Sequence, residues 1–320
     1  MGSLSALRRR IAEGVRKYPR LWTVLNPPYR AALDGINEVR LRAMCRGVMI
    51  HDAERGNDTV RAVVQLGRPA ALGKVGSLEA EALACFLKGR EYPDILRKQM
   101  LINVGIHPAD RAHIDAFCEA YVQAADALTV IAARGHPGEL EVINRVVGRT
   151  YVRLSSFDPW LFENPWSSAL EGKRVLVVTP FARSVESQMR RRADIWRNPR
   201  LLPPCEVRAV RMPLSPGLVA PEHKDWRERY DALVEECERA PYDIMLAGAG
   251  GLSLPLVAHA KAQGRIGFHL GGTTQILFGI TGRRWAHDHR LIALQTDAWI
   301  RPSGDEAPAT VSQVEQGCYW

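Results

Sequence analysis

Two strand-to-glycine turns and an arginine pair carry the residue types that can act on an anionic substrate. The first turn, Gly248-Ala-Gly-Gly251, closes the apolar run Asp243 to Ala247; the second, Gly271-Gly-Thr-Thr-Gln275, closes Ile266 to Leu270. An apolar run that stops at glycines and gives way to helical spacing is how α/β folds bring backbone N–H groups to a phosphate. Glycine permits close approach, and a helix start adds partial positive charge. Gly248, Gly250, Gly251, Gly271, Gly272 and Thr273 are therefore candidate phosphate-cradling positions. A steric reading competes, because such turns need glycine with or without a ligand, and Thr273 can equally be a helix N-cap. Arg283 and Arg284 stand beside Trp285, where they can neutralise a diphosphate while the indole stacks on a base or sugar ring. Exposed arginines next to a packed tryptophan would leave the same trace.

An earlier turn has the same form. The strand pattern that begins at Ala70 breaks at Gly76-Ser77 and becomes an amphipathic helix ending near Leu87. Gly76 and Ser77 join the candidate ligand positions, with Ser77 expected to cap the helix. Glu79, in the first helical turn, suits a general base or a metal ligand, and compensation of the helix dipole accounts for it equally well. His269, ending a buried run, reads first as a satisfied core histidine. His287, Asp288 and His289 have metal-binding types but also the look of a solvated loop.

Missing motifs narrow the class. Gly248-Ala-Gly-Gly251 begins like a dinucleotide fingerprint, yet Ser253 occupies the place of its third glycine, so a nicotinamide cofactor is disfavoured. Gly271 to Gln275 lacks the Gly-Lys-Ser/Thr ending of a P-loop. Neither a Gly-x-Ser-x-Gly elbow nor a His-Glu-x-x-His helix occurs.

The elements that must hold these residues alternate. Lys173 to Phe181 is a β-branched run suited to a strand buried on both faces, followed by helical spacing over Ser184 to Ile195. Then come a strand at Val207 to Met212, a helix at Trp226 to Arg239, a strand at Asp243 to Ala247, a helix at Ser253 to Gln263 and a strand at Ile266 to Leu270. Upstream, a helix over His107 to Asp126, opened by Pro108, leads to a strand at Ala127 to Ala133, and Asp158-Pro-Trp and Asn164-Pro-Trp form a connection. This alternation predicts right-handed βαβ units and a doubly wound, mostly parallel Rossmann-like sheet over residues 66–320. Residues 1–65 read as a helical, arginine-rich extension with a polar loop at His51 to Asp58.

The chain has 320 residues, 46% of them hydrophobic, and a formal charge of +8. Only 7 of its 43 basic residues are lysine. Such an arginine excess fits an anionic substrate or codon bias. The basic segments lack a module with interleaved aromatics, which argues against nucleic acid as the partner. Six dispersed cysteines without a Cys-x-x-Cys point to a reducing compartment, and no apolar run is long enough to span a bilayer, so a cytoplasmic location is expected. The helical spacing of Leu4, Leu7, Ile11 and Val15 among arginines allows peripheral contact with an anionic membrane, although a docked, solvated helix is the commoner outcome. Oligomeric state is open.

Asn164 to Phe181, Asp243 to Gly251, His269 to Trp285 and the closing Glu315-Gln-Gly-Cys-Tyr-Trp320 together resemble an uncharacterised bacterial family with a GT-D-like glycosyltransferase fold, associated with surface polysaccharide loci. The resemblance covers about residues 70 to 320. It implies a glycosyltransferase that moves a sugar from a nucleotide-diphosphate donor to a glycan or lipid-linked acceptor, with Mn or Mg held by a Gly-Asp-Gly-Glu-like motif. Here that stretch reads Gly76-Ser-Leu-Glu79, and Glu79 alone keeps a carboxylate. Glu79 would then orient the donor or a metal. Arg283 and Arg284 would stabilise the departing diphosphate and take over charge the metal would supply. The altered acidic motif also fits a non-catalytic nucleotide- or glycan-binding protein on the same fold.

Overall fold

In a computed structural model of the chain, the described residues are 49–143, 148–214, 219–286, 288–307, 309–313 and 317–320, together with positions 35, 36, 39 and 41. Residues 1–46 and 47–320 are separate compact units. The four described positions of the first are helical, and its arginine-rich stretch, Arg8 to Arg20, lies outside the described residues.

Eight described strands of the larger unit form one all-parallel sheet: β1 (Ile50–His51), β2 (Ala70–Gly73), β3 (Val130–Ala133), β4 (Thr150–Arg153), β5 (Arg174–Thr179), β6 (Glu206–Arg211), β7 (Ile244–Ala247) and β8 (Ile266–His269). Their order is β1-β4-β3-β2-β8-β7-β5-β6. Every residue of β2, β3, β7 and β8 is buried, as a parallel sheet covered on both faces requires. The helices are α1 (Ala53–Leu66), α2 (Ser77–Phe86), α3 (Asp94–Gln99), α4 (Arg111–Asp126), α5 (Pro137–Ile143), α6 (Ala182–Met189), α7 (Arg192–Ile195), α8 (Trp226–Glu238), α9 (Ser253–Ala262), α10 (Thr273–Leu277) and α11 (His289–Leu294).

Alternate strand residues build two cores. On one face Leu72, Val130, Val177, Leu246 and Phe268 pack with Val60 and Val64 of α1, Phe157, Trp166, and Ile276 and Leu277 of α10. On the other, α9 lies along β2, β7 and β8 and against α4, which in turn meets α2 and α5. Close approach on that second face depends on Gly267, where a Cβ would fall 2.4 Å from the Val257 carbonyl oxygen.

Several boundaries differ from the sequence expectation. His51 to Asp58, expected as a loop, contains the end of β1 and the start of α1, because Asp52 caps that helix by accepting from the Arg55 N–H at 2.8 Å. The helix expected from Pro108 begins at Arg111, set by Asp110 as its cap, and the expected helix from Ser184 breaks into α6 and α7. Ser77 does not cap α2: Gly76 is the N-cap, and Ser77 is the first helical residue. Gly272 likewise takes the capping position that Thr273 was expected to hold.

The connection from β4 to β5 is pinned by one buried amide. Asn57 donates to the Asn164 carbonyl at 2.9 Å and accepts from the Trp166 N–H at 2.7 Å, while the Trp166 indole donates to the Phe157 carbonyl at 3.1 Å. Asn57→Leu should lower unfolding free energy by about 2 kcal/mol, the cost of leaving a buried N–H unpaired. Urea denaturation should show the midpoint falling with the slope unchanged.

β2 and β8 are neighbours, yet their outgoing chains diverge. After β2 the chain enters the α2 and α4 face; after β8 it enters the opposite face through α10. Adjacent parallel strands whose connections part in this way form a topological switch point, and α/β sheets bind ligands in the crevice outside such a point.

Candidate functional site

Four segments meet at that crevice. Lys74 follows β2 directly, Gly271 to Thr273 follow β8, Asp158 comes from the β4–β5 connection, and Arg284 lies in the short 3-10 turn Arg283–Trp285. Lys74 lies against Gly271: a Cβ there would touch Lys74 Cε and Nζ at 3.4 Å, and Gly271 is itself left-handed, with φ 61°. Burial pushes the Lys74 amine down to about 8, opposed by the nearby Asp158 and Glu79 carboxylates and reinforced by the Arg134 and Arg284 charges. Among the described residues Lys74 has no hydrogen bond or ion pair. A half-buried ammonium without an acceptor in the chain is a natural partner for an anion from outside it.

Asp158 faces this cation. Thr273 Oγ1 donates to its Oδ1 at 2.8 Å. Burial holds the carboxyl above its ordinary range, while the Thr273 bond and the charges of Lys74 and Arg284 work the other way. The floor beside Lys74 is His269, which is 6% exposed with Nδ1 3.4 Å from the Ala247 carbonyl. Burial, aided by the Lys74 charge, pushes it down to about 3. It is a neutral core histidine across physiological pH.

The loop after β3 is held by Glu139. Its buried carboxylate accepts from the Arg134 N–H at 3.0 and 3.1 Å and from the His136 N–H at 3.0 Å, which fixes Arg134 near Lys74. Burial pushes Glu139 up to about 7 despite these bonds.

Glu79 folds back over the start of α2, since a Cβ on Gly76 would fall 1.9 Å from Glu79 Oε2. The Gly76 N–H donates to the Tyr121 hydroxyl at 3.3 Å. The Glu79 charge reaches Lys74 and also Tyr121, whose hydroxyl burial and that charge push up. Compensation of the helix start is the role this geometry displays.

The two glycine turns do different work. Gly248 donates its N–H to the Val178 carbonyl at 2.8 Å, and a Cβ there would fall 3.0 Å from the Gly271 carbonyl oxygen. A Cβ at Gly251 would fall 2.4 Å from Val104 Cγ1, and Gly250, with φ 55°, passes close to the Val104 carbonyl. Ser253, at the place of the fingerprint's third glycine, accepts the Ala249 N–H at 2.8 Å. This turn therefore has steric reasons for its glycines. The Gly271 N–H is likewise committed, to the Ala247 carbonyl at 3.1 Å. Gly272 passes under the Trp285 indole, where a Cβ would come within 3.2 Å of the ring. Side-chain cations and the N–H groups at the start of α10, from Gly272 and Thr273, are left to meet an anion.

Arg283 and Arg284 are strapped from outside. Their N–H groups donate to the Trp320 and Cys318 carbonyls at 3.2 and 2.7 Å, and Gln275 Nε2 donates to the Tyr319 carbonyl at 2.7 Å. The Arg284 guanidinium donates to the Tyr319 hydroxyl at 2.7 Å and lies 5.4 Å from its ring centre. Tyr319 meets Trp285 edge to face at 6.2 Å. Both arginines are exposed, and the Arg284 charge acts on Lys74 and Asp158 alike. Asp288 caps α11, accepting from the Arg290 and Leu291 N–H groups, and His287 lies outside the described residues. Among the described residues no group of three His, Cys, Asp or Glu could hold a metal ion.

Lys74, Asp158, Arg134 and Tyr319 were not among the residues singled out from sequence. Lys74 had a usable signal, since a charged residue immediately beyond a buried strand lies at the edge where α/β sheets bind ligands. Asp158 had none beyond its neighbouring proline, because it meets Thr273 from 115 residues away.

Fold and crevice together define an α/β protein with a doubly wound parallel sheet and a cationic site at its carboxyl edge. No family model matches the chain, and no curated protein matches it. Among solved structures, the chain is similar to a selenomethionine-substituted domain of unknown function 1792 (DUF1792), with 10% identity and a TM-score of 0.47, over 75% of this chain and 83% of that one. No described helix is long and apolar enough to cross a membrane.

Proposed function

We propose that the crevice binds the diphosphate of a nucleotide sugar and that the protein is a glycosyltransferase acting on a glycan or lipid-linked acceptor, in keeping with the polysaccharide association of the family it resembles. The observation that carries this reading is Lys74, a half-buried ammonium without an acceptor among the described residues, placed beside the Gly271 turn with Arg284 nearby. As the bond between the sugar and its phosphate breaks, negative charge accumulates on the departing diphosphate. Fixed cations in a low-dielectric crevice stabilise that charge more than they stabilise the ground state. Trp285 and Tyr319 offer an aromatic edge and face beside Arg284 for a base or sugar ring.

The arginine pair supplies a test with an internal control. Arg284→Ala should weaken nucleoside diphosphate binding about 10-fold, the effect of one charge-assisted hydrogen bond, and leave the melting temperature nearly unchanged. Arg283→Ala should leave affinity nearly unchanged. Equal losses in the two variants, or a fall in melting temperature that tracks the loss of binding, would place Arg284 among the structural residues.

A second reading, a non-catalytic nucleotide-binding protein, is favoured by the placement of the carboxylates: Glu79 lies over Gly76 and Asp158 is bonded to Thr273. Release of free sugar from a bound donor separates the two, since a binder releases none.

A further inference from the structure

We infer that this site captures its diphosphate without a divalent metal, the Lys74 ammonium standing where the metal's charge would otherwise be needed; the inference rests on the nucleotide-sugar reading. A magnesium or manganese ion shared with a diphosphate takes oxygen ligands, with one or two protein carboxylates among them. The residues present do not fit that requirement. Glu79 turns its carboxylate onto Gly76 at the start of α2, and Asp158 receives the Thr273 hydroxyl. Ser77, where the resembled family carries aspartate, is the first residue of α2.

Charge points the same way. Arg134 and Arg284 both act on Lys74, and only Asp158 and Glu79 oppose them there. An ion of charge +2 would enter among like charges, whereas an anion relieves them. An ammonium is a compact point charge with three donors and binds phosphate in that capacity.

A metal-free site of this kind has a signature in pH. The groups around the amine are Asp158, Glu79, Arg134, Arg284 and the neutral His269. The ligand-free amine loses its proton near 8, and a bound diphosphate would hold that proton on. Affinity should then fall as pH rises past that point, approaching 10-fold per pH unit.

The test is calorimetric titration of the full chain with UDP, GDP, ADP, CDP and dTDP, in EDTA and in Mn²⁺, at pH 7 and pH 9. The expected result is a diphosphate whose Kd in EDTA stays within about twofold of that in Mn²⁺, weakens at pH 9, and rises about 30-fold in Lys74→Met, the loss of a charged hydrogen-bond donor. A Kd that collapses in EDTA overturns the inference and leaves the nucleotide reading standing. So does binding in Lys74→Met within about twofold of wild type. Failure of all five diphosphates to bind overturns both.

Discussion

Lys74→Met should make the protein more stable at neutral pH while weakening its ligand affinity about 30-fold. In the folded chain the amine sits near 8 against 10.5 when unfolded, so between those values the unfolded state binds more protons and wild-type stability rises with pH. Below the folded value both states carry the charge, and the fold bears the full cost of partly desolvating the ammonium. At about 1.4 kcal/mol for each pH unit separating the two values, that cost is on the order of 3 kcal/mol. Methionine has nearly the same length and no charge, so the variant should melt higher than wild type at pH 7, with the gap closing towards pH 10.5. Thermal melts across that range check it. A variant less stable than wild type at pH 7 would mean that Lys74 has a structural partner, and the crevice would lose its vacant cation.

Gly267→Val should be the most damaging substitution in the sheet. A Cβ at this position would fall 2.4 Å from the Val257 carbonyl oxygen and 2.5 Å from its Cα, both backbone atoms of α9 that cannot swing aside. β8 would have to part from α9, and with it would move Gly271 and Thr273, which β8 carries into the crevice. Overpacking costs typically about 1–3 kcal/mol and more where backbone must shift, so a loss above about 3 kcal/mol is expected. For a chain of this size that is a fall of roughly 4–5 °C or more in melting temperature. Gly271→Ala, by contrast, meets Lys74 only at 3.4 Å and bears chiefly the strain of its positive φ. It should cost less in stability than Gly267→Val. Differential scanning fluorimetry on the two variants decides the order.

Much of the fold was legible because its strands are buried on both faces. β5, β7 and β8 announce themselves as continuous apolar runs, and α8 and α9 by their length and spacing. β1 and β4 were missed for a physical reason: β1 spans two residues, and Thr150–Arg153 has polar ends that carry no run. The helix starts moved because aspartates capped them, at Asp52 and Asp110, where proline or a polar stretch had seemed the stronger signal.

The site was legible as a place more than as a set of residues. Glycine turns follow β7 and β8 at the carboxyl edge of the sheet, but Gly248 and Gly251 answer to Gly271 and Val104 across a tight contact, and a sequence does not display such contacts. Arg284 was visible through its place beside Trp285, yet its Tyr319 partner was not, because a tail residue reaches it only in the folded chain. Lys74 looks like any surface lysine until burial and neighbouring charge are known. Single residues whose role depends on a partner far along the chain are what sequence periodicity cannot convey.

The central claim is that the cationic crevice between β2 and β8 binds a diphosphate. Titrating wild-type protein with a series of nucleoside diphosphates and their sugar conjugates, and following the fluorescence of Trp285 and its aromatic neighbours, tests it most directly. Saturable binding that weakens about 30-fold in Lys74→Met, with the fold intact by circular dichroism, is the expected result. Binding that survives unchanged in that variant, or the absence of binding to any of these ligands at millimolar concentration, would contradict it.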